Sequence, residues 1–386
     1  MNEMHILADD LTGALDTAAA FAGEVPVYLD VPAAVDVLPC PVSVVATATR
    51  DVPADSLPRL LAPSLPWLVD AELAFKKVDS LLRGNTFAEC AHVARAGGFE
   101  RIVFAPAFPQ QGRVTIDGWQ CVVPPGEPLE RRRPVGDALP ATLFSALGLT
   151  VTPLAEPCPD RISVWIPEVR SDDDLARVAA LSTRADARHW LWCGSAGLAH
   201  AIAAIRGLAP GPHCGTPPEP TPGPVLLISA SRHPVLQAQW STLRVTEQTA
   251  IAVMHGEPSA LQAACRTMQL PFDRALLALA PTAALSPPEA ASLLAAQLAD
   301  IVGAVPHPAS LIVVGGDTLR ALCAAAGARG LSARASSRAG WGCARLIGGA
   351  WDGVTCHSRS GAFGGPDDLS TMVRLVAWPT QDLKEH

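Results

Sequence analysis

Residues 5–16 read HILADDLTGALD, and the order of their chemistry decides the fold. HILA predicts a short strand, Asp9 and Asp10 a tight acidic turn, and TGALDTAAAFA a helix from about Thr12. Strand, turn and helix in immediate succession form the repeating unit of a parallel α/β sheet. The unit sets two adjacent carboxylates at the carboxyl end of a strand, beside a helix N-terminus whose partial positive charge favours their ionised form. In open α/β sheets that is also where ligands bind. Paired carboxylates are costly to bury unless a ligand, a metal or a helix terminus offsets their repulsion. An acidic N-cap without chemistry is the plainer alternative.

The same alternation runs along the chain. Strands are expected at HILA, VSVVATA, LAFKKVD, RIVFAPA and WLWCG, then at PVLLISAS, TAIAVM, ALLALA and LIVVGG. Between the two sets, residues 209–224 (APGPHCGTPPEPTPGP) hold seven prolines in sixteen positions, too many for a helix or a central strand. The expected architecture is therefore α/β, with two domains, each a mainly parallel sheet flanked by helices. They span residues 1–208 and 225–386, joined by a semi-rigid proline-rich linker at 209–224.

Composition narrows the partners. A net charge of −8 argues against nucleic acid or an anionic membrane as the main partner, so an anionic ligand needs a local basic cluster. Only three lysines occur, Lys76, Lys77 and Lys384, which makes the adjacent pair unusual here. The mean hydropathy of +0.24 comes mainly from alanine. The least charged stretch, residues 275–288, is too short to span a membrane and is broken by prolines. The N-terminus lacks the pattern of a secretory signal, and the ten cysteines are scattered without metal-ligand spacing. Free thiols in a reducing cytoplasm are expected, and structural zinc is not.

Polar chemistry collects where the strands end. In FKKVDSLLRGN (75–85) successive strand residues face opposite sides, so Lys76 and Lys77 cannot both aim at one ligand. Ser80, Arg83, Gly84 and Asn85 follow as a compact donor set before a helix, suited to a carboxylate or phosphate. Arg113 follows a Pro- and Gly-shaped turn, and Gly194 and Gly197 permit close approach of a ligand or a neighbouring element. In the C-terminal half, Ser229 and Ser231 lie between a strand and a helix. Gly315-Gly316-Asp317-Thr318 joins an apolar strand to a helix, offering backbone N–H groups to a phosphate, unless Asp317 or Thr318 is only an N-cap. HSRSGAFGGPDDL (357–369) is a further glycine-rich loop. No GxxxxGK[ST] occurs, so any nucleotide is held without a P-loop, and the absence of GxGxxG after a strand argues against a dinucleotide-dependent dehydrogenase.

Taken in order, ADDLTGALD, KKVDSLLRGN, PAFPQQGR, GSAGLA, SASRHPVLQAQ, GGDT and RSGAFG resemble the four-carbon acid sugar kinase family over about residues 6–370. The resemblance implies a sugar-acid-binding N-terminal domain and a nucleotide-binding C-terminal domain. The implied reaction moves phosphate from ATP, with Mg²⁺, to the terminal hydroxyl of threonate, erythronate or an oxo-tetronate. It implies sugar-acid contacts from Asp9, Asp10, Lys77, Ser80, Arg83, Asn85 and Arg113. ATP contacts are implied for Ser231, Gly315, Gly316, Asp317, Thr318 and Gly361. Asp10 is the favoured partner of the attacking hydroxyl, Asp9 of a neighbouring hydroxyl or Mg²⁺, and Asp317 of Mg²⁺-bound water.

Four departures stand out: Pro234 and Arg359 replace the usual threonine and lysine, Pro167-Glu168 replace Asp-Ala, and RAGWGCARL lacks the usual prolines. The departures at Pro234 and Arg359 motivate an alternative, a catalytically weak sugar-acid-binding protein with an eroded nucleotide site. The stereochemistry of the acid and the formation of a homo-oligomer are left open by the sequence.

Overall fold

A computed structural model describes residues 3–33, 38–154, 161–211, 220–246, 251–254, 262, 265–266, 268, 274–279, 285–335, 338 and 340–377. The chain divides into two compact units, Met1–Gly211 and Pro212–His386. Residues 212–219 of the expected linker, and 249–250 and 280–284 of two expected apolar segments, lie outside the described residues.

The first unit is built on β1 (Met4–Ala8), β2 (Val25–Tyr28), β3 (Val42–Ala46), β4 (Leu73–Lys77) and β5 (Arg101–Ala105). A small antiparallel sheet follows, formed by β6 (Arg113–Ile116), β7 (Trp119–Val122) and β8 (Arg133–Pro134). β9 (Thr150–Val151), β10 (Ser163–Trp165) and β11 (Trp190–Gly194) complete the main sheet. Its order is β2-β3-β1-β4-β11-β5-β10-β9, parallel throughout. β1 lies inside the sheet and every one of its residues is buried, as the apolar run of a strand covered on both faces requires. The chain leaves β1 toward β2 on one side, returns through β3, then crosses to β4 on the other side. That reversal makes the carboxyl ends of β1 and β4 a topological switch point.

The helix after β1 runs Leu11–Ala18, shorter than the sequence suggests. Its end tightens into i→i+3 bonds from Ala20 N to Thr17 O and from Phe21 N to Ala18 O, which turn Phe21 into the core. Asp10 is its N-cap and accepts from Gly13 N. The helix after the KKVDSLLRGN loop spans Thr86–Ala96 and packs its apolar face on a core that includes Leu7, Phe104 and Phe144.

The second unit contains β12 (Val225–Ser229), β13 (Ile251–Met254), β14 (Arg274–Leu279), β15 (Ser310–Val314), β16 (Gly330–Arg334), β17 (Gly342–Ile347) and β18 (Thr355–Arg359). The order β13-β14-β12-β15-β18 is parallel, and β17 and β16 add antiparallel strands beyond β18. β16 to β18 are absent from the expected strands because GLSAR and TCHSR carry polar residues where an apolar run would mark a strand. Pro234 opens the helix Pro234–Thr246, at the first helical position, where a missing N–H leaves no bond unmade.

Candidate active site

In the first unit Ala8 pairs with Ala46 of β3 and with Lys77 of β4, so three loops leave the sheet side by side. Short bonds fuse them. Thr47 N donates to Ala8 O at 2.9 Å and Thr49 N to Asp9 O at 3.0 Å. Asn85 Nδ2 donates to the carbonyls of Thr49, Arg50 and Val52 at 3.0, 3.3 and 2.7 Å. Gly84 has φ +72°, and a Cβ there would lie 2.5 Å from the carbonyl oxygen of Arg50, so only glycine fits. Ala48 (φ 54°) and Leu82 (φ 55°) are two of the three non-glycine residues with positive φ among the described residues. Such backbone is uncommon outside glycine, and both examples flank these loops.

Arg50 stands at the centre. Its Nε and Nη2 grip Asp9 at 2.8 and 3.0 Å, and Nη2 also reaches Asp10 Oδ1 at 2.6 Å. Asp79 Oδ2 lies 3.6 Å from the same Nη2 and accepts from Arg83 Nε at 3.0 Å, while Asp79 Oδ1 accepts from Leu81 N at 2.7 Å. Lys76 and Lys77 part as strand alternation requires. Lys76 Nζ pairs with Glu89 Oε2 at 2.7 Å, both side chains 1% exposed. Lys77 Nζ instead crosses Gly13, where a Cβ would sit 2.7 Å from it and 2.5 Å from Asp10 Oδ1. Glycine at 13 is what admits the ammonium beside the carboxylate.

These neighbours drive the two aspartates apart. Burial opposes ionisation of Asp9, but Lys76, Lys77 and Arg50 outweigh it and hold the carboxyl below its ordinary range. For Asp10 burial wins over Lys77 and Arg50, and the charge of Asp9 adds to it, so its affinity for a proton is raised. Asp79 is buried yet held low by Arg83 and Arg50. Burial lowers the proton affinity of Arg113, against the pull of Asp79 and with the repulsion of Arg83. Arg113 Nε is buried with no hydrogen-bond partner among the described residues.

In the second unit three adjacent strands, β12, β15 and β18, end in the segments carrying Ser231, Gly315–Thr318 and Gly361. Gly315 N donates to Arg359 O at 2.9 Å. Gly315 (φ +114°) is itself the N-cap of the helix Gly316–Ala326, so neither Asp317 nor Thr318 caps it. That leaves the first-turn N–H groups of Gly316, Asp317 and Thr318 without intrahelical partners. A Cβ on Gly361 would lie 2.8 Å from Ser231 Oγ, so those two segments touch. Ser231 Oγ accepts from His233 N at 3.2 Å, whereas Ser229 Oγ accepts from the buried Trp240 Nε1.

The sequence-derived residues thus fall into two groups. Asp9, Asp10, Lys77 and Arg83 meet through shared partners, and the charges of Asp79 and Arg83 reach Arg113. Ser80 offers its carbonyl to Gln120 Nε2, which ties the loop to β7. Asn85 differs from its reading as a ligand donor, in that its amide nitrogen is occupied by three carbonyls. Gly197 abuts Ala107 O and the Phe108 ring, and Glu168 accepts from Gly118 N at the β6–β7 turn; both serve packing and turn formation. Sequence reasoning missed Arg50 and Asp79. Asp79 lay within a motif already singled out, and the signal for Arg50 was a basic residue just past an apolar strand, in ATATRD.

A sheet of this order, with a cationic and carboxylate site in one unit and a glycine-rich helix start in the other, fits an enzyme that binds a small anion and a nucleotide. Residues 4–142 match the family described as "Sugar-binding N-terminal domain", and residues 226–369 match "Nucleotide-binding C-terminal domain". A protein of Cupriavidus necator named D-threonate kinase is 30% identical over 376 residues, covering 85% of this chain and 87% of its own. A second D-threonate kinase, from Bordetella bronchiseptica, is 29% identical and covers 96% of both chains. The crystal structure of Haemophilus influenzae protein HI1011 shares the fold, with a TM-score of 0.67 at 18% identity over 94% of this chain and 98% of its own. The chain belongs to the four-carbon acid sugar kinase family and is a phosphotransferase. Among the described residues no helix is long and apolar enough to cross a membrane.

Proposed function

We propose that the enzyme transfers the γ-phosphate of ATP to the terminal (4-) hydroxyl of a four-carbon sugar acid such as threonate, erythronate or an oxo-tetronate. One observation carries the assignment of roles: adjacent carboxylates whose proton affinities are driven in opposite directions. Such pairs divide acid and base duties. Asp10, with the raised affinity, is the base that accepts the hydroxyl proton. Both hydrogen bonds described for its carboxylate fall on Oδ1, which leaves Oδ2 to face the substrate. Asp9 stays ionised, holds Arg50 and accepts from a neighbouring hydroxyl.

The substrate's carboxylate is assigned to Arg83 and Arg113, with Lys77, Ser80 and Arg50 completing the donor set. Arg113 is the strongest of these assignments, because its buried Nε lacks a partner among the described residues. Asn85 acts by fixing the loop that carries Arg50.

The nucleotide is assigned to Ser231, to the backbone of Gly315–Thr318 and to the Gly361 loop. Among the described residues no group of three or more His, Cys, Asp or Glu side chains could hold a metal. Mg²⁺ is proposed to bind together with the nucleotide, with Asp317 as the carboxylate from this chain, since Mg²⁺ sites commonly combine one or two carboxylates with phosphates and water. Mg²⁺ held there would supply neutralisation of the phosphate charge during transfer. A cytoplasmic setting is proposed on the thiols, all free among the described cysteines.

The test is ADP release with Mg-ATP over a panel of threonates, erythronates and oxo-tetronates, followed by phosphorus NMR of the product. Phosphate on C4 of one panel member supports the reading. Phosphate on C2 or C3, or no ADP above background, defeats it.

A further inference from the structure

We propose that Arg359 is a positioning residue for nucleotide binding, one that holds two glycine segments of the second unit in register without touching the nucleotide. The inference rests on the reading of that unit as the nucleotide site. Arg359 ends β18, and its side chain is only 1% exposed, so no ligand reaches it from solvent. Its Nη1 donates to Phe363 O and to Asp368 Oδ2, and Nη2 donates to Gln239 Oε1. The guanidinium lies 4.8 Å from the centre of the Trp341 ring.

The partners close a bracket around the glycine loop. Gln239 Nε2 donates to Phe363 O at 3.0 Å, so one loop carbonyl takes donors from both a strand and the helix Pro234–Thr246. Trp341 Nε1 and Arg338 Nη2 fix the carboxylate of Asp368. Gly364 (φ +89°) passes so near that a Cβ would meet Arg359 Nη1 and lie 2.5 Å from Asp368 Oδ2. At the other end of the residue, the carbonyl of Arg359 accepts from Gly315 N, the cap of the helix Gly316–Ala326. One residue therefore joins both glycine segments, the first through its backbone and the second through its side chain. Two of the sequence departures, at Arg359 and in RAGWGCARL, meet in this cluster.

A buried guanidinium is costly, and Nε here has no partner among the described residues. Stability alone does not explain it. Geometry does: the planar fork sends Nη1 to Phe363 and Asp368 and Nη2 to Gln239, two separated nitrogens where a lysine offers one.

The experiment compares the full-length wild type with Arg359→Lys and Gln239→Ala. ADP and the sugar acid found in the substrate screen are titrated by calorimetry, and KM for ATP is measured separately from KM for the acid. Loss of one charge-assisted contact predicts ADP affinity about tenfold weaker in Arg359→Lys, and a smaller shift of about threefold in Gln239→Ala. Affinity and KM for the acid stay within about twofold, as expected of a change confined to the other unit. Unchanged ADP affinity in both folded variants overturns the proposal, as does equal weakening of both ligands. Should Arg359→Lys fail to fold, Gln239→Ala decides alone, because it leaves the Arg359–Asp368 pair in place. A wild type that binds no nucleotide overturns the reading of the unit itself, a result distinct from a wild type that binds and variants that match it.

Discussion

In the first unit the order β2-β3-β1-β4 gathers Asp9, Asp10, Arg50, Asp79 and Arg83 at the ends of neighbouring strands. In the second unit β13-β14-β12-β15 repeats that order, and the ends of β12, β15 and the neighbouring β18 gather Ser231, Gly315 and Gly361. On the proposed assignments, one winding serves two kinds of recognition. Side-chain charges fixed by one another define the shape of a small acid, because each carboxylate and guanidinium has a set direction. Backbone N–H groups at a helix start suit phosphate, which needs donors and a positive dipole more than a particular outline. The difference teaches that the switch point supplies a location, and the loop composition supplies the chemistry.

The contrast is broken most directly at Asp10. Asp10→Asn keeps the shape and removes the base, so kcat should fall by about 10²–10⁴-fold while ADP affinity is unchanged. In the wild type, kcat/KM, which reports the free enzyme, should rise with pH through a limb above the ordinary carboxylate range, because Asp10 must lose its proton to act and its proton affinity is raised. The limb should vanish in Asp10→Asn. An Asp10→Asn variant that lost ADP binding and kept affinity for the acid would invert the division between units.

Arg50→Ala should weaken acid binding by about a hundredfold, since it strips the shared cation from Asp9 and Asp10 and leaves carboxylates unpaired. Arg50→Lys should recover little, because one ammonium cannot repeat the two-nitrogen grip on Asp9. Calorimetry with the acid distinguishes these outcomes. On the other unit, Gly315→Ala forces a side chain into φ +114° and should weaken ADP by about tenfold, with acid affinity unaltered.

A separate effect, on stability and not on ligand binding, concerns acid sensitivity. Burial, with Arg334 adding to it, pushes His357 of β18 down to about 4 from 6.5. The unfolded chain then binds more protons than the folded one between those values, so stability falls as pH drops through that window and levels off below it. The loss is up to about 3 kcal/mol. His357→Gln should flatten this slope in urea titrations from pH 7 to 4. Asp9 and Asp79 of the first unit, held low in the folded state, lose their contribution only further down, as pH falls below the unfolded carboxylate range.

The strand–turn–helix at residues 4–18 was legible because an apolar run and a helix-compatible segment meet at two polar residues. The helix Thr86–Ala96 was equally plain. Arg50 was not, because its role exists only once β3 lies beside β1, a long-range pairing that no local pattern encodes. Asn85 was read as a donor to a ligand from its neighbours in sequence. Left-handed backbone at Leu82 and Gly84 carries the loop to Arg50 instead, and turns the amide toward carbonyls. Arg359 reads as a loop cation, yet it is the buried last residue of a strand too polar to be recognised from its sequence.

The three carbonyls that converge on Asn85 Nδ2 have a consequence for the cost of recognition. Loops from β3 and β4 are tied before any acid arrives, so little conformational freedom remains to be lost on binding. Association should then proceed in a single kinetic phase without a slow rearrangement. The amides of Thr49 and Asn85, which donate to Asp9 O and Arg50 O, should already resist hydrogen exchange in the free enzyme. The acid meets a mould that is already set.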